Sequence, residues 1–164
     1  MLSKRDLYAL LDGRGTVYEA VEHPAVSTME ELDALDLPGA DRVLKNLFLR
    51  DDKKRNWYLV SLPGHGTLDL KVLRRRLQSR PLSLAGAGDL ERLLHVKPGH
   101  VTPLAALNDD ARAVTVVLDA ALEGRTVGVH PMENTATDFL YLEDVAALVR
   151  EHGIPVVLCD LRGE

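Results

Sequence analysis

The sequence predicts a compact α/β domain with a mixed, largely antiparallel sheet flanked by helices. Three observations lead there. Helical and strand periodicities are interspersed along the chain. Several strand candidates lie close enough to pair as hairpins. The chain has 164 residues, 46% of them hydrophobic and 27% charged, enough for one full core, so positions 1–164 are expected to form a single domain. A doubly wound parallel sheet does not fit this order of elements.

Each element has a local reason. Ser3 caps a helix over Lys4 to Leu11, with Gly13 as its stop. Thr16 to Glu22 alternates as a strand. Ser27 or Thr28 caps a short helix from Met29 to Leu35, with Glu30 and Glu31 in its positive first turn, and Pro38-Gly39 ends it. Val43 to Arg50 and Trp57 to Leu62 form a hairpin around the polar tip Asp51 to Arg55. Pro63-Gly64-His65-Gly66 is a flexible break. Asp69 opens a helix through Leu77, with Leu70, Leu73 and Leu77 on one face. Leu82 to Ala85 is a short strand, and Asp89 caps a helix through His95. Val114 to Leu118, Val127 to Val129 and Phe139 to Leu142 are strands. Glu143 to His152 is a helix stopped by Gly153, and Pro155 to Leu161 closes the sheet.

Composition narrows the function classes. No apolar run approaches the ~20 residues of a membrane span, and the N-terminus lacks a signal peptide's apolar stretch. Cys159 has no partner for an internal disulfide and sits in an apolar run, as a buried structural thiol would. A reducing cytoplasm is therefore the expected location. The net charge of −5 argues against indiscriminate nucleic-acid binding. Basic residues are nevertheless clustered, in Arg50 to Arg55 and in Lys71 to Arg80. Such clusters are either solvated surface or a patch for a defined polyanion.

Common catalytic signatures are missing. There is no phosphate-binding Gly-rich loop, no G-x-S-x-G elbow, and no His or Cys spacing suited to a metal. Neither a metal nor another cofactor is expected. Three segments remain. In Val43 to Leu49, alternation puts Lys45 on the apolar face, where an ammonium is costly unless it has a partner or a task. Snorkelling at a sheet edge is the alternative. Gly99-His100-Val101-Thr102-Pro103 combines a residue that permits close backbone approach with one that stiffens the exit. The loop from His130 to Thr137 carries more hydroxyl and amide groups than turn closure requires. It suits either a site held by rigid strands or a solvated turn.

Lys45-Asn46-Leu47-Phe48, Gly99-His100-Val101-Thr102-Pro103 and His130-Pro131-Met132-Glu133-Asn134-Thr135-Ala136-Thr137 resemble, in order and spacing, the YbaK/ProX superfamily. These are free-standing relatives of the editing insertion domain of bacterial prolyl-tRNA synthetase. Glu22 to Thr28 resembles the family's first strand and following helix, so the likeness covers nearly the whole chain. The form of the His130 loop is similar to the ProXp-ala, or PrdX, branch. After Pro103 the chain reads Leu104-Ala105-Ala106-Leu107-Asn108, whereas many relatives keep a Gly there.

That resemblance implies hydrolysis of alanine mischarged on tRNA(Pro), with no metal, and the tRNA acceptor end as partner, in some settings beside prolyl-tRNA synthetase. It implies catalytic roles for Lys45, Asn46 and His130. Strict alternation puts the Asn46 side chain on the face opposite Lys45, so a twist, a bulge or a backbone role is needed to bring Asn46 to the site. Gly99, His100, Val101, Thr102 and Pro103 would bind substrate, together with Pro131, Asn134, Thr135, Ala136 and Thr137. Val26, Val101, Val129 and the segment Thr135 to Thr137 would wall a pocket small enough to exclude proline. Arg74, Arg75 and Arg76 would meet the tRNA. A deacylase for Cys-tRNA(Pro) or another small aminoacyl-tRNA, and a non-catalytic amino-acid or nucleic-acid binding module, are the alternatives.

Overall fold

The computed structural model describes residues 1–162. Helix α1 spans Lys4–Gly13 and opens with a capping box: Ser3 Oγ accepts from the Asp6 N–H, and the Asp6 carboxylate accepts from the Ser3 N–H. Gly13 is the helix's last residue and does not stop it earlier. Strand β1 is only Glu19–Glu22, shorter than alternation predicts from Thr16. Thr28, not Ser27, caps helix α2 (Met29–Ala34) through its hydroxyl. Strands β2 (Leu44–Asp51) and β3 (Trp57–Pro63) form the expected hairpin. Asp51 holds its tip by accepting from the Arg55 N–H and from Asn56 Nδ2.

Helix α3 (Leu70–Leu77) starts at the Asp69 cap, and β4 is Leu82–Leu84. Helix α4 begins earlier than Asp89. It spans Ala87–Leu94 behind Gly86 and has no side-chain cap; Asp89 lies inside the first turn and pairs with Arg92. A buried 3₁₀ segment, Pro103–Asn108, has no counterpart in the sequence reading. Its backbone direction comes from Pro103 and from Thr102 Oγ1, which accepts from the Leu104 N–H. Then follow β5 (Val114–Asp119), β6 (Thr126–Val129), β7 (Ala136–Tyr141), α5 (Leu142–Glu151) and β8 (Val156–Cys159). Ala136 and Thr137 therefore belong to a strand, although the sequence places them in the preceding loop.

The strands form two sheets. One has order β4-β2-β3-β5-β8, antiparallel across β4, β2 and β3 and parallel from β3 to β5 to β8. The other, β1-β7-β6, is antiparallel. The expected mixed and largely antiparallel pairing is present, but it is divided between two sheets. The main core, including Leu59, Val116, Leu104 and Val149, lies under α5, α4 and the 3₁₀ segment. A smaller core packs α3, through Leu73, on the other face of the five-stranded sheet. Cys159 belongs to this smaller core, and burial raises its thiol pKa.

The sheets meet at one parallel bridge, Val43 to Gly128, immediately before β2. A Cβ at position 128 would lie 2.9 Å from both Phe139 Cε1 and Val43 Cγ2, and 3.0 Å from Thr137 Cγ2. Those three side chains are buried and belong to both sheets. Only glycine lets the strands approach this closely.

Asp138 on β7 has no solvent-exposed surface; its Oδ1 accepts from the Tyr8 hydroxyl at 2.8 Å. Desolvation raises its carboxyl pKa from 3.8 to about 6, against smaller lowering contributions from the Tyr8 hydrogen bond and the Lys4 charge. The folded state therefore holds this proton more tightly than the unfolded chain. The associated stability is fully present below pH 3.8 and is lost as pH rises through about 6.

Two outcomes are expected. Gly128→Ala should lower stability by about 1–3 kcal/mol through overpacking, read as a lower urea midpoint. Asp138→Asn keeps an acceptor for Tyr8 without the charge. It should be more stable than wild type at pH 8, on the order of 2–3 kcal/mol, and closer to it at pH 4. Equal urea midpoints for the two proteins at pH 8 would contradict the assignment.

Candidate functional site

A cleft of about 480 Å³ opens where the two sheets meet. Its floor is the start of β2, from Leu44 to Leu47. One wall is the approach to α2 and its first turns, from Val26 to Leu32. The other contains Gly99, Val101 and His130, and Gly64 to Thr67 form part of the rim. Lys45, Asn46, His130, Val26, Gly99 and Val101, all expected at the site, are brought together here.

Lys45 and Asn46 enter through opposite faces of β2. The register with β3 is continuous from Leu44 to Arg50, so no bulge reorients either residue. Lys45 shares its face with Leu47 and Leu49, as alternation predicts. No carboxylate lies within ion-pair distance of it among the described residues. Its charge is therefore available to a ligand. Asn46 shares its face with Leu44 and Phe48, and both ends of its amide bond to protein. Oδ1 accepts from Ser61 Oγ at 2.6 Å, and Nδ2 donates to the Val101 carbonyl at 3.2 Å. Asn46 thus fastens the Gly99 loop to the sheet.

In that loop Gly99 has φ +85°, a conformation that side-chain-bearing residues rarely adopt. The His100 N–H donates to the Lys97 carbonyl at 3.0 Å. The N–H groups of Gly99 and Val101 donate to no acceptor among the described residues. Two backbone donors thus remain on residues that line the cleft.

His130 Nδ1 lies 3.1 Å from the Ala136 carbonyl. A carbonyl only accepts, so Nδ1 carries the proton and donates. Burial lowers the imidazole pKa below its ordinary value; the Ala136 bond opposes this, and the charges of His23 and His100 reinforce it. At neutral pH the ring is uncharged, and Nε2 is its acceptor.

The remaining expected residues do not line the cleft. Asn134 is buried behind it, where Nδ2 donates to the Val26 carbonyl at 2.6 Å and holds that wall. Thr135 Oγ1 donates to the Glu133 carboxylate. Ala136 contributes its carbonyl to His130. Thr137 is fully buried, with Oγ1 2.9 Å from His23 Nε2; the His23 ring centroid is 6.4 Å from that of His130. Val129 packs in the main core, and Pro131 is buried. Thr102 and Pro103 begin the 3₁₀ segment, and His100 lies between the two lining residues of its loop. Arg74, Arg75 and Arg76 are exposed on α3, outside the cleft lining.

Sequence reasoning missed Leu32, Val43, Leu44, Leu47, Met29 and Ser61. The first five read as ordinary core or helix residues, and their shared cavity arises only from the meeting of the sheets. For Ser61 a signal existed: a lone hydroxyl in the apolar run Leu59-Val60-Ser61-Leu62, directly before Pro63.

Among the described residues no group of His, Cys, Asp and Glu is arranged to hold a metal. Among the same residues no helix is long and apolar enough to cross a membrane.

Residues 23–148 match the aminoacyl-tRNA editing domain family. The chain is 40% identical over 154 residues to the prolyl-tRNA editing protein ProX of Acetoanaerobium sticklandii, covering 93% of this chain and 94% of that protein. It is 42% identical over 144 residues to prolyl-tRNA synthetase associated domain-containing protein 1 of Danio rerio, covering 84% and 77%. A crystal structure described as that of a proposed trans-editing enzyme for prolyl-tRNA synthetase superposes with a TM-score of 0.72 at 25% identity, covering 99% of this chain and all of that one. The stretch matched by the family spans every residue that lines the cleft, and the chain belongs to the aminoacyl-tRNA editing domain family, the YbaK/ProX superfamily.

Proposed function

We propose that this protein is a trans-editing hydrolase that removes alanine from mischarged tRNA(Pro) and rejects the correct prolyl ester by size. The observation that carries the proposal is that Lys45, His130, Gly99 and Val101 line one cleft, with Nε2 left as the acceptor of His130 and the Gly99 and Val101 N–H groups bonded to no acceptor among the described residues. An aminoacyl ester already has a usable leaving group in the ribose oxygen, so no acyl-enzyme is needed. What the protein must supply is placement of the ester beside water, and donors for the developing oxyanion. Water adds to the carbonyl carbon. The Gly99 and Val101 N–H groups hold the oxyanion, and the ester bond to the ribose oxygen breaks as that oxygen takes up a proton. Lys45 pairs with the terminal phosphate, and His130 accepts a hydrogen bond from the attacking water or from the neighbouring ribose hydroxyl. Asn46 acts by holding the donor loop. No step calls for a metal.

Apolar side chains set the cavity's size. Val26 and Val101 face it with Leu44 and Leu47, and the two valines have few rotamers. A missing methylene changes binding by only about 1–3 kcal/mol, so a synthetic site cannot reject alanine well by affinity. The cleft as a whole has room for the acceptor end, so the second sieve is the subsite between the two valines, which takes a methyl side chain and refuses the pyrrolidine ring. The sequence-based assignment of Val129 and of Thr135 to Thr137 as walls becomes a supporting role, since they stand behind the lining. The exposed Arg74, Arg75 and Arg76 offer the tRNA a phosphate-facing surface, and positions 1–164 act as one editing unit in the cytoplasm, alone or beside prolyl-tRNA synthetase.

Purified protein should hydrolyse Ala-tRNA(Pro) and spare Pro-tRNA(Pro), with the rate unchanged by a chelator; inertness toward Ala-tRNA(Pro) would reject the proposal. Lys45→Ala should cut deacylation on the order of 10²-fold with the urea midpoint preserved. Val101→Ala should bring bulkier aminoacyl esters into range, seen as a lower ratio of alanyl to prolyl hydrolysis. The acid limb of the rate profile should fall below pH 6.5, because His130 is held neutral below the ordinary histidine value. Charge reversal at Arg74 or Arg75 should raise KM and flatten its salt dependence while leaving the rate at saturation intact.

A further inference from the structure

Ser61 stands at the centre of the five-stranded sheet. In register it faces Asn46 of β2 on one side and Leu118 of β5 on the other. None of its surface reaches solvent, and its neighbours Leu59, Val60 and Leu62 are buried and apolar. A hydroxyl in such a place is costly unless it is bonded. Here Ser61 Oγ donates to Asn46 Oδ1 at 2.6 Å, and Asn46 Nδ2 donates to the Val101 carbonyl at 3.2 Å. The Val101 carbonyl only accepts, so Nδ2 must face it and Oδ1 must face Ser61. Both ends of the amide are satisfied in that one orientation. Because a peptide unit is planar, fixing the Val101 carbonyl also fixes the plane it shares with Thr102, and with it the course of the loop.

We infer that Ser61 is a positioning residue of the cleft. Through the Asn46 amide it holds the loop Gly99 to Pro103 at the setting in which Gly99 and Val101 line the cavity. The kinetic consequence rests on the deacylase reading; the structural consequence does not. Without the hydroxyl, Asn46 Oδ1 has no donor inside the sheet. Its amide then turns more freely, and Val101 loses its tether.

The test uses the full chain as wild type, Ser61→Ala, Ser61→Thr, Asn46→Ala and the Asn46→Ala, Ser61→Ala double variant. Amide NMR spectra and hydrogen exchange of the free proteins are recorded first. In Ser61→Ala, shift changes should centre on Asn46 and on Gly99 to Thr102, and the His100 amide, which is bonded to the Lys97 carbonyl, should exchange faster. Deacylation of Ala-tRNA(Pro) should lose about tenfold in kcat with little change in KM, as expected when a bond that sets the reactive geometry is lost. Ser61→Thr, which keeps the hydroxyl, should recover most of the rate. The double variant should be no slower than Asn46→Ala. Should Ser61→Ala fail to fold, Ser61→Cys offers similar size with a weak donor and should fall between wild type and Asn46→Ala.

The inference is overturned if Ser61→Ala leaves the Gly99 to Thr102 amides undisturbed, if it only lowers thermal stability with kcat intact, or if the two losses multiply in the double variant. If wild-type protein does not cleave Ala-tRNA(Pro), the deacylase reading fails, and the amide spectra still decide the Ser61 relay.

Discussion

The close approach of Val43 to Gly128 is the contact on which the cleft depends. It is the bridge between the two sheets, and it forms because position 128 has no side chain to keep Phe139, Thr137 and Val43 apart. Two residues after Val43 comes Lys45, and two residues after Gly128 comes His130. Joining the sheets at this point therefore brings an ammonium from one and an imidazole from the other to the same opening. A wider separation would leave both as unrelated surface groups.

The polar groups around the cleft form a layered arrangement. Residues that line the cavity carry the Lys45 ammonium, with no carboxylate partner among the described residues, the Nε2 of His130, the backbone N–H groups of Gly99 and Val101, and the side chains of Ser27, Thr28, Glu30, His65 and Thr67. Behind them nearly every polar atom is committed to another. Asn134 ties the Val26 wall, the Ala136 carbonyl fixes the His130 tautomer, His23 and Thr137 pair beneath it, and Asn46 joins the sheet to the Gly99 loop. Buried groups satisfied in this way have one preferred arrangement, which keeps the exposed donors at fixed positions. Preorganisation of this kind suits a reaction whose substrate already carries its own leaving group. Asp138 lies on the far face of β7 from Thr137 and departs from the pattern, with one carboxylate oxygen unpartnered and its proton held more tightly than usual.

Much of the fold was readable because it rests on local rules. Ser3 and Asp69 announce helix starts through their oxygens, the tip from Asp51 to Arg55 separates two apolar runs, and Leu70, Leu73 and Leu77 mark one face of α3. Misreadings occurred where local signals were weak or misleading. Asp89 looks like a cap but lies within α4, because Gly86 already opens the backbone there. The polar Thr137 reads as loop, yet it is a buried strand residue whose hydroxyl is satisfied 114 positions away in sequence by His23. The 3₁₀ segment after Thr102 carries no periodic pattern, because all of its residues are buried.

The sequence alone determined the element types, the presence of a lysine on an apolar strand face, and the three segments that carry the family likeness. Alternation, capping and turn chemistry act over a few residues, so they are written locally. Tertiary structure alone decided which members of those segments meet the cavity and which stand behind it. It turned Asn46 into a tether, moved Val129, Asn134 and Thr137 to supporting positions, and made cavity walls of Leu32, Leu44 and Leu47. Those outcomes depend on two sheets meeting at a glycine, a contact between residues 85 positions apart that no local rule can encode.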